Sequence, residues 1–300
     1  MNRRFAMMAG VTLALALPLQ ANALTRAGEL FSFGKKVAES QKEITEAEEI
    51  EMGRGIAASL LGAAPLVDDP ELQRYVNRVG LWLALQTERP GLPWRFGVMD
   101  SPSVNAFAMP GGTILITRGL YDRLRDEAEL AGVLAHEISH VVRKHQLAAI
   151  KKEMGKAWQQ ELASQAISRS DNAVVSRFGD KAFRAGTEVF ARGLDKGDEY
   201  QADQLGMVVA ARGGYNPFGL AGVLQTLDAT SAQDASVALM FATHPTAASR
   251  LERLDATVGT SLDAYAEARD PGRLYRPKSP QNAPVGGTSV PMPCTEKHRG

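Results

Sequence analysis

The chain of 300 residues contains a single cysteine and no excess of either charge. Cys294 has no partner for an internal disulfide, and its Pro- and Gly-rich surroundings indicate an incidental exposed thiol rather than a catalytic one. The 34 basic and 34 acidic side chains balance, so charge gives no argument for nucleic acid as a partner. No tandem repeat is evident, and the 44% hydrophobic content can supply the core of one large domain or a domain with a lobe.

The sequence also lacks hydrophobic runs long enough for a comfortable membrane span. The apolar run from Phe5 to Leu19 falls short of the roughly 20 residues that a spanning helix needs. It follows two arginines and precedes Ala21-Asn22-Ala23, which is the pattern of a signal peptide cleaved after Ala23. We therefore expect residues 1–23 to be a signal peptide of a periplasmic protein with no integral span; a retained signal anchor is the alternative. No cysteine lies near the cleavage site, so a lipoprotein is not expected.

Apolar spacing and cap residues predict a mainly helical, α+β fold. The predicted helices cover residues 45–61, 69–88, 126–145, 194–212, 217–227 and 245–254. Three short β-prone runs lie at residues 94–99, 105–109 and 113–117. The Pro110-Gly111-Gly112 turn between the last two runs predicts a small antiparallel sheet.

The domain boundaries follow from changes in composition. Residues 24–269 are predicted to form one domain, in which residues 151–193 are either a mobile lid or an ordinary pair of surface helices. From residue 270 onward the chain is rich in Pro, Gly and Ser and loses apolar periodicity. We therefore predict a disordered tail over residues 270–300.

The stretch His136-Glu137-Ile138-Ser139-His140 carries the strongest functional signal. Two histidines four residues apart on a helix project from one face and can bind a single zinc ion. Glu137 lies beside them, where a general base belongs. The run from Asp126 to His145 has a wide apolar face and no Pro, so the histidines are expected on a mostly buried helix. This context favours metal ligands over histidines that only pack in the core.

A catalytic zinc ion needs three protein ligands and an open position for water, so one ligand remains to be found. Glu199 and Asp203 lie four residues apart on a predicted helix and therefore share a face. Glu199 can bind the metal, while Asp203 can accept the ring N–H of a ligand histidine and so fix its tautomer. Acidic residues with this spacing are also common on solvated helices, so the pattern alone leaves both interpretations open.

Four sequence blocks follow one another along the chain: Asn105-Ala106-Phe107-Ala108-Met109-Pro110-Gly111-Gly112, His136-Glu137-Ile138-Ser139-His140 with His145, Glu199-Tyr200-Gln201-Ala202-Asp203, and Thr243-His244-Pro245 with Arg250. Together they resemble metallopeptidases of the HtpX and CAAX prenyl protease superfamily, in particular the exported bacterial branch of BepA-like and LoiP-like proteases. The resemblance extends over roughly residues 46–258. The chain shows neither the transmembrane helices of the HtpX type nor room for the helical repeat array of the BepA type.

The resemblance implies a zincin fold, with a small sheet beside the active-site helix and one zinc ion held by His136, His140 and Glu199. It also implies an edge strand that pairs with an extended peptide substrate; an ordinary hairpin strand is the alternative. The residues of that strand are Asn105, Ala106, Phe107, Ala108 and Met109.

Two further residues are candidates by the same resemblance. His244 and Arg250 are expected to stabilise the oxyanion of the reaction. The His244 ring could instead bind the metal, displace water and keep the enzyme latent. His145 is given only a packing or hydrogen-bonding role beyond the active-site helix, and His298 a place in the tail.

The expected function is zinc-dependent hydrolysis of peptide bonds in misfolded or envelope-associated proteins. Glu137 is expected to take the proton of the attacking water and to pass it to the leaving amine. The quality-control role comes from the resemblance only. A periplasmic chaperone or assembly factor with a normally silent protease is the first alternative, and a zinc hydrolase with a non-peptide substrate is the second. The natural substrate and the oligomeric state do not follow from the sequence.

Overall fold

The computed structural model describes residues 43–163, 192–230, 234–267 and 274–276. The predicted mainly helical, α+β class is confirmed. The elements are α1 (Glu46–Ala63), α2 (Pro70–Ala84), β1 (Arg95–Met99), β2 (Ala106–Met109), β3 (Thr113–Thr117), α3 (Arg118–Tyr121), α4 (Glu127–Val142), α5 (His145–Ala163), α6 (Lys196–Arg212), α7 (Gly219–Asp228), α8 (Ala238–Thr243) and α9 (Ala247–Val258). Within these ranges no helix is long and apolar enough to cross a membrane. The predicted signal peptide lies outside the described residues, as do residues 164–191 of the predicted lid.

Capping side chains begin the first helices at the predicted positions. The Thr45 hydroxyl accepts the Glu48 backbone N–H at 3.3 Å, and the Glu48 carboxylate accepts the Thr45 N–H at 2.8 Å. This reciprocal pair is a capping box. Asp69 caps α2 by accepting the Glu71 and Leu72 N–H groups at 3.0 and 3.1 Å, and Asp126 caps α4 by accepting the Glu129 N–H at 2.9 Å. Each cap satisfies backbone donors that would otherwise have no partner at a helix start.

The active-site helix ends earlier than predicted. α4 stops at Val142 rather than continuing to His145, because Lys144 has a left-handed φ of 59° that no α-helix can contain. α5 then begins at His145. The bend lets the His145 ring turn back toward α4, where it lies 2.9 Å from His140.

The three strands form one mixed sheet in the order β1-β3-β2. β2 and β3 pair antiparallel, as the turn between them predicts, with Ala108 opposite Ile114. β1 differs from the prediction because it pairs with β3 in parallel, with Val98 opposite Ile116. The chain passes from β1 to the far edge of the sheet before the hairpin brings β3 into the centre, so β1 and β3 run in the same direction. β2 is thereby left at the edge.

A buried ion pair connects the hairpin to α1 and to the end of α4. Gly111 and Gly112 adopt φ values of 77° and 100°, which glycine alone tolerates without strain. The Gly111 N–H donates to the buried Glu49 carboxylate at 3.1 Å. Arg89 donates to the same carboxylate at 2.9 Å and to the Val141 carbonyl at 3.2 Å. This network holds the edge strand in a fixed position relative to α4.

α4 lies at the centre of the fold, buried almost throughout, and packs mainly against α6 and α7. Glycines permit these close contacts. A Cβ on Gly206 of α6 would lie 3.0 Å from the His136 backbone nitrogen, and one on Gly219 would lie 2.1 Å from the Ala128 carbonyl oxygen. Larger residues would push the helices apart. The close approach at Gly206 brings the side chains of α6 within reach of the α4 histidines.

The prediction of a disordered tail is wrong for the described residues 274–276. Leu274 is buried in the main core, and the Tyr121 hydroxyl donates to the Tyr275 carbonyl. The Tyr275 hydroxyl donates to Asp69 at 3.1 Å. Leu274 and Tyr275 therefore attach this stretch to the core, although the amino-acid composition around it is typical of disordered segments.

Candidate active site

α4 places His136, Glu137 and His140 together in the interior. All three side chains are buried. The Nε2 atoms of His136 and His140 lie 3.1 Å apart, as expected for rings one helical turn apart on the same face. Glu137 lies next to them and lines both clefts that open onto the site.

α6 supplies two buried carboxylates to the same place. Glu199 Oε1 lies 3.6 Å from His140 Nε2, and Glu199 Oε2 lies 3.8 Å from His136 Nε2. Asp203, one turn further along α6, places Oδ1 at 2.9 Å from His136 Nδ1. The four-residue spacing therefore gives the two carboxylates different neighbours: Glu199 faces the inner ring nitrogens, and Asp203 lies behind the His136 ring.

The donor set fits a zinc ion. Zinc bonds of about 2.0–2.2 Å in a tetrahedron place neighbouring ligand atoms about 3.3 Å apart, which is close to the 3.1 to 3.8 Å separations observed here. Glu199 Oε1 is the one buried side-chain oxygen or nitrogen with no hydrogen-bond partner in the part of the chain that the structure describes. An unpaired buried carboxylate oxygen is costly. A cation bound beside it removes that cost.

His244 contributes a third imidazole to the cluster. Its Nδ1 lies 2.7 Å from Glu199 Oε2, and ligand atoms of His136, Glu199 and His244 all lie within 4.8 Å of one another. The His244 side chain is 18% exposed, whereas His136, His140 and Glu199 are almost fully buried. His244 is therefore the residue of the cluster that faces the opening of the site.

Arg250 of α9 is buried behind the site and bonds to Asp203. Its Nε donates to Asp203 Oδ2 at 2.9 Å, and its Nη2 donates to Asp203 Oδ1. This paired contact matches the fork of the guanidinium to the carboxylate. The Nε and Nη2 groups of Arg250 thus bond to the carboxylate that lies behind the His136 ring. The oxyanion role of Arg250 stays a prediction.

The electrostatics of the site suit a metal and a base. Burial, followed by the field of His136, lowers the pKa of His140 well below its usual value, so this ring is neutral. Burial raises the pKa of Glu199, but His244 and the other histidines outweigh it, so the pKa is lowered. Burial also raises the pKa of Asp203, but Arg250 and His136 outweigh this effect, so the pKa of Asp203 is lowered. Burial raises the pKa of Glu137, which increases its affinity for a proton.

The pKa of His136 shifts in the direction opposite to that of His140. Burial and Arg250 lower its pKa, but the hydrogen bond to Asp203 and the fields of Asp203 and Glu199 prevail, so the pKa is raised. A metal ligand must give up its proton at the coordinating nitrogen. Metal binding at this cluster is therefore expected to release a proton and to weaken as the pH falls.

The edge strand β2 borders two clefts beside the candidate site. Both are lined by Asn105, Ala106, Glu137 and His244, and the first also by Phe107 and Ala108. The Met109 side chain is fully buried in a second apolar cluster and lines neither cleft, so the pairing predicted for this residue concerns its main chain alone. The wall of the second cleft is largely apolar and comprises Leu120, Val133, Leu220, Val223, Leu224, Leu227 and Met240.

The sequence interpretation missed two features of the site. His145, expected only to pack or to hydrogen-bond beyond the active-site helix, places Nδ1 at 2.9 Å from His140 Nδ1 and Nε2 at 2.9 Å from Gln201 Oε1, and its contact with a candidate ligand histidine was not predicted. The apolar wall from α7 was also not foreseen, although the spacing of Leu220, Val223 and Leu227 marks one helix face. His298 and Cys294 lie outside the described residues.

Comparison with known proteins agrees with this geometry. The chain is 31% identical over 207 residues to the beta-barrel assembly-enhancing protease of Yersinia pestis and 30% identical over 209 residues to that of Escherichia coli K12. Each alignment covers 68% of this chain but only 42% of the relative. Metalloprotease YcaL of Escherichia coli K12 is 30% identical over 171 residues, which is 57% of this chain and 65% of YcaL.

The family assignment follows from the extent of these matches. The sequence model of Peptidase family M48 matches residues 70–258, which include every candidate site residue on α4, α6 and α9. The block that contains the edge strand lies within the same range. The resemblance predicted from four sequence blocks is confirmed, and the chain belongs to Peptidase family M48.

Proposed function

We propose that the protein is a zinc-dependent endopeptidase in which His136, His140 and Glu199 hold one ion and Glu137 is the general base. The observation that carries the proposal is the unpartnered Glu199 Oε1, which is buried 3.6 Å from His140 Nε2, while Oε2 of the same carboxylate lies 3.8 Å from His136 Nε2. The name of the family and the names of the relatives support a metalloprotease.

The reaction follows from the positions of the side chains. His136, His140 and Glu199 would hold the zinc ion, which would supply Lewis acidity that makes water easier to deprotonate near neutral pH and polarises the peptide carbonyl. Glu137, whose pKa is raised by burial, accepts the proton of the attacking water and returns it to the leaving amine. Asp203, held by Arg250, keeps the His136 ring proton on Nδ1 and leaves Nε2 for the metal.

An extended polypeptide is the substrate that the cleft fits best. β2 is an edge strand, and an edge strand can bind a peptide through main-chain hydrogen bonds. The apolar wall formed by α4, α7 and Met240 suits an apolar side chain next to the scissile bond. Misfolded proteins expose such side chains. This combination favours a peptidase over a hydrolase of non-peptide substrates.

The cellular setting is proposed from the sequence and from the names of relatives. The N-terminal pattern of residues 1–23 indicates export to the periplasm without lipid attachment. Two relatives are named for enhancing the assembly of β-barrels. We therefore propose misfolded or envelope-associated proteins as substrates, with a latent zincin-fold chaperone or assembly factor as the alternative.

His244 is the specific observation that favours latency. Its ring nitrogen lies within metal-ligand range of His136 and Glu199, at the mouth of the site. In this position the imidazole can take the place of water on the metal, which is the second of the two roles predicted for it. The oxyanion role requires instead that the ring donate a hydrogen bond to substrate.

Substitution of His244 by Ala separates the two roles. We expect basal cleavage of casein to rise, about tenfold if the open form makes up about a tenth of the wild-type molecules. The zinc affinity should fall at the same time, because one nitrogen is lost. Initial rates at saturating zinc, compared with wild type, measure the effect. A fall in kcat with unchanged zinc affinity would assign His244 to the oxyanion.

Removal of the metal tests the proposed function as a whole. Treatment with a chelator such as 1,10-phenanthroline is expected to abolish casein cleavage, and added zinc should restore it. Magnesium or calcium should not restore it, since histidine nitrogens suit zinc far better than these hard cations. Cleavage that continues in metal-free protein would contradict the proposal.

A further inference from the structure

His145 lies behind the His140 ring, at the ring nitrogen opposite to the proposed metal side. The two Nδ1 atoms are 2.9 Å apart, and His140 Nε2 faces His136 and Glu199. Both rings are buried. Gln201 of α6 completes the row, because its Oε1 lies 2.9 Å from His145 Nε2. The three side chains come from α4, α5 and α6, and they form one continuous line of hydrogen bonds.

The direction in which these hydrogen bonds are donated is set at the outer end of the line, at His145 Nε2. His145 Nε2 faces two oxygens, Gln201 Oε1 at 2.9 Å and Asp198 Oδ1 at 3.7 Å. Oxygen acceptors on that side place the His145 ring proton on Nε2. Nδ1 of His145 is then an acceptor, so the His140 Nδ1 that faces it must be the donor. His140 consequently carries its ring proton on Nδ1.

We propose that His145 is a positioning residue that, together with Gln201, fixes the His140 tautomer and so keeps His140 Nε2 available to zinc. This inference rests on the proposed metal site. Each proposed ligand histidine then has its own hydrogen-bond partner at Nδ1, because Asp203 bonds to Nδ1 of His136 as His145 bonds to Nδ1 of His140. Partners of this kind orient the ring and typically change metal affinity or activity by about 10- to 100-fold.

Two variants of equal size test the role of His145. Asn offers an amide oxygen near the place of Nδ1, whereas Leu has the same shape and no acceptor. In the full-length protein, zinc affinity measured by competition with a chromophoric chelator is expected to fall about 10- to 100-fold in His145→Leu. His145→Asn should retain most of the wild-type affinity. A purely structural role would instead lower the thermal midpoint of the metal-free protein in both variants.

Two substitutions of Gln201 provide a second, independent pair of variants. Gln201→Glu keeps an oxygen acceptor toward His145 Nε2, while Gln201→Met removes it at similar length. We expect weaker zinc binding only in the Met variant. Equal zinc affinity in His145→Leu, His145→Asn and wild type would overturn this inference and leave the metal site standing. Wild-type protein that binds no zinc would overturn the metal site and the inference together.

Discussion

The substitution Glu137→Gln is expected to reduce kcat for casein cleavage by about 10²- to 10⁴-fold, the range for loss of a general base. The amide of Gln has nearly the shape of the carboxylate but cannot accept a proton from water. Glu137 is not one of the three proposed ligands, so zinc content should remain at one ion per chain. Rates at saturating substrate, with zinc measured on the same samples, test this expectation.

The same variant distinguishes the protease from its alternative. A chaperone or assembly role does not need a base, so prevention of aggregation by Glu137→Gln at wild-type level would support that role. Glu252→Gln on α9 is a suitable control, because this carboxylate is exposed. Casein cleavage by Glu137→Gln at the wild-type rate would exclude Glu137 as the base.

The second large effect concerns the ligand supplied by α6. Glu199→Gln is expected to weaken zinc binding by more than about 100-fold, the upper value for loss of an outer partner, because here a ligand itself loses its charge. Proteolysis should fall in parallel. Metal content by elemental analysis and affinity by chelator competition measure the two losses.

The stability of the metal-free protein provides the complementary measurement. The neighbouring histidines hold the pKa of Glu199 below its usual value, so its charge stabilises the metal-free fold, and the metal-free Gln variant should unfold at a lower temperature than the wild type. Glu252→Gln, an exposed substitution on α9, is the control and should change neither zinc binding nor activity. Zinc binding by Glu199→Gln at wild-type strength would exclude Glu199 as a ligand.

Much of the site could be predicted from local sequence patterns. The spacing of His136 and His140, and of Glu199 and Asp203, fixes which side chains share a helix face, and that relation does not depend on the rest of the fold. Caps such as Asp69 act within one helical turn and were recognised for the same reason. Which of the α6 carboxylates meets the histidines is a tertiary fact. The family resemblance, rather than spacing, supplied Glu199.

The remaining features depend on contacts between distant segments. The parallel pairing of β1 with β3 follows from the order of the strands in the sheet. The sequence of a single strand does not indicate this order. The end of α4 depends on the left-handed Lys144, a residue type that rarely adopts this conformation. His145 was assigned only a packing or hydrogen-bonding role, because the bend before it was not foreseen and its partner Gln201 lies 56 residues further along the chain.

The central claim is that one zinc ion lies between α4 and α6, and anomalous diffraction at the zinc absorption edge tests it most directly. Crystals of the purified protein should show one anomalous peak per chain, at bonding distances of about 2.0–2.2 Å from His136 Nε2, His140 Nε2 and the Glu199 carboxylate. No peak at this position after incubation with zinc, or a peak coordinated by other residues, would contradict the account.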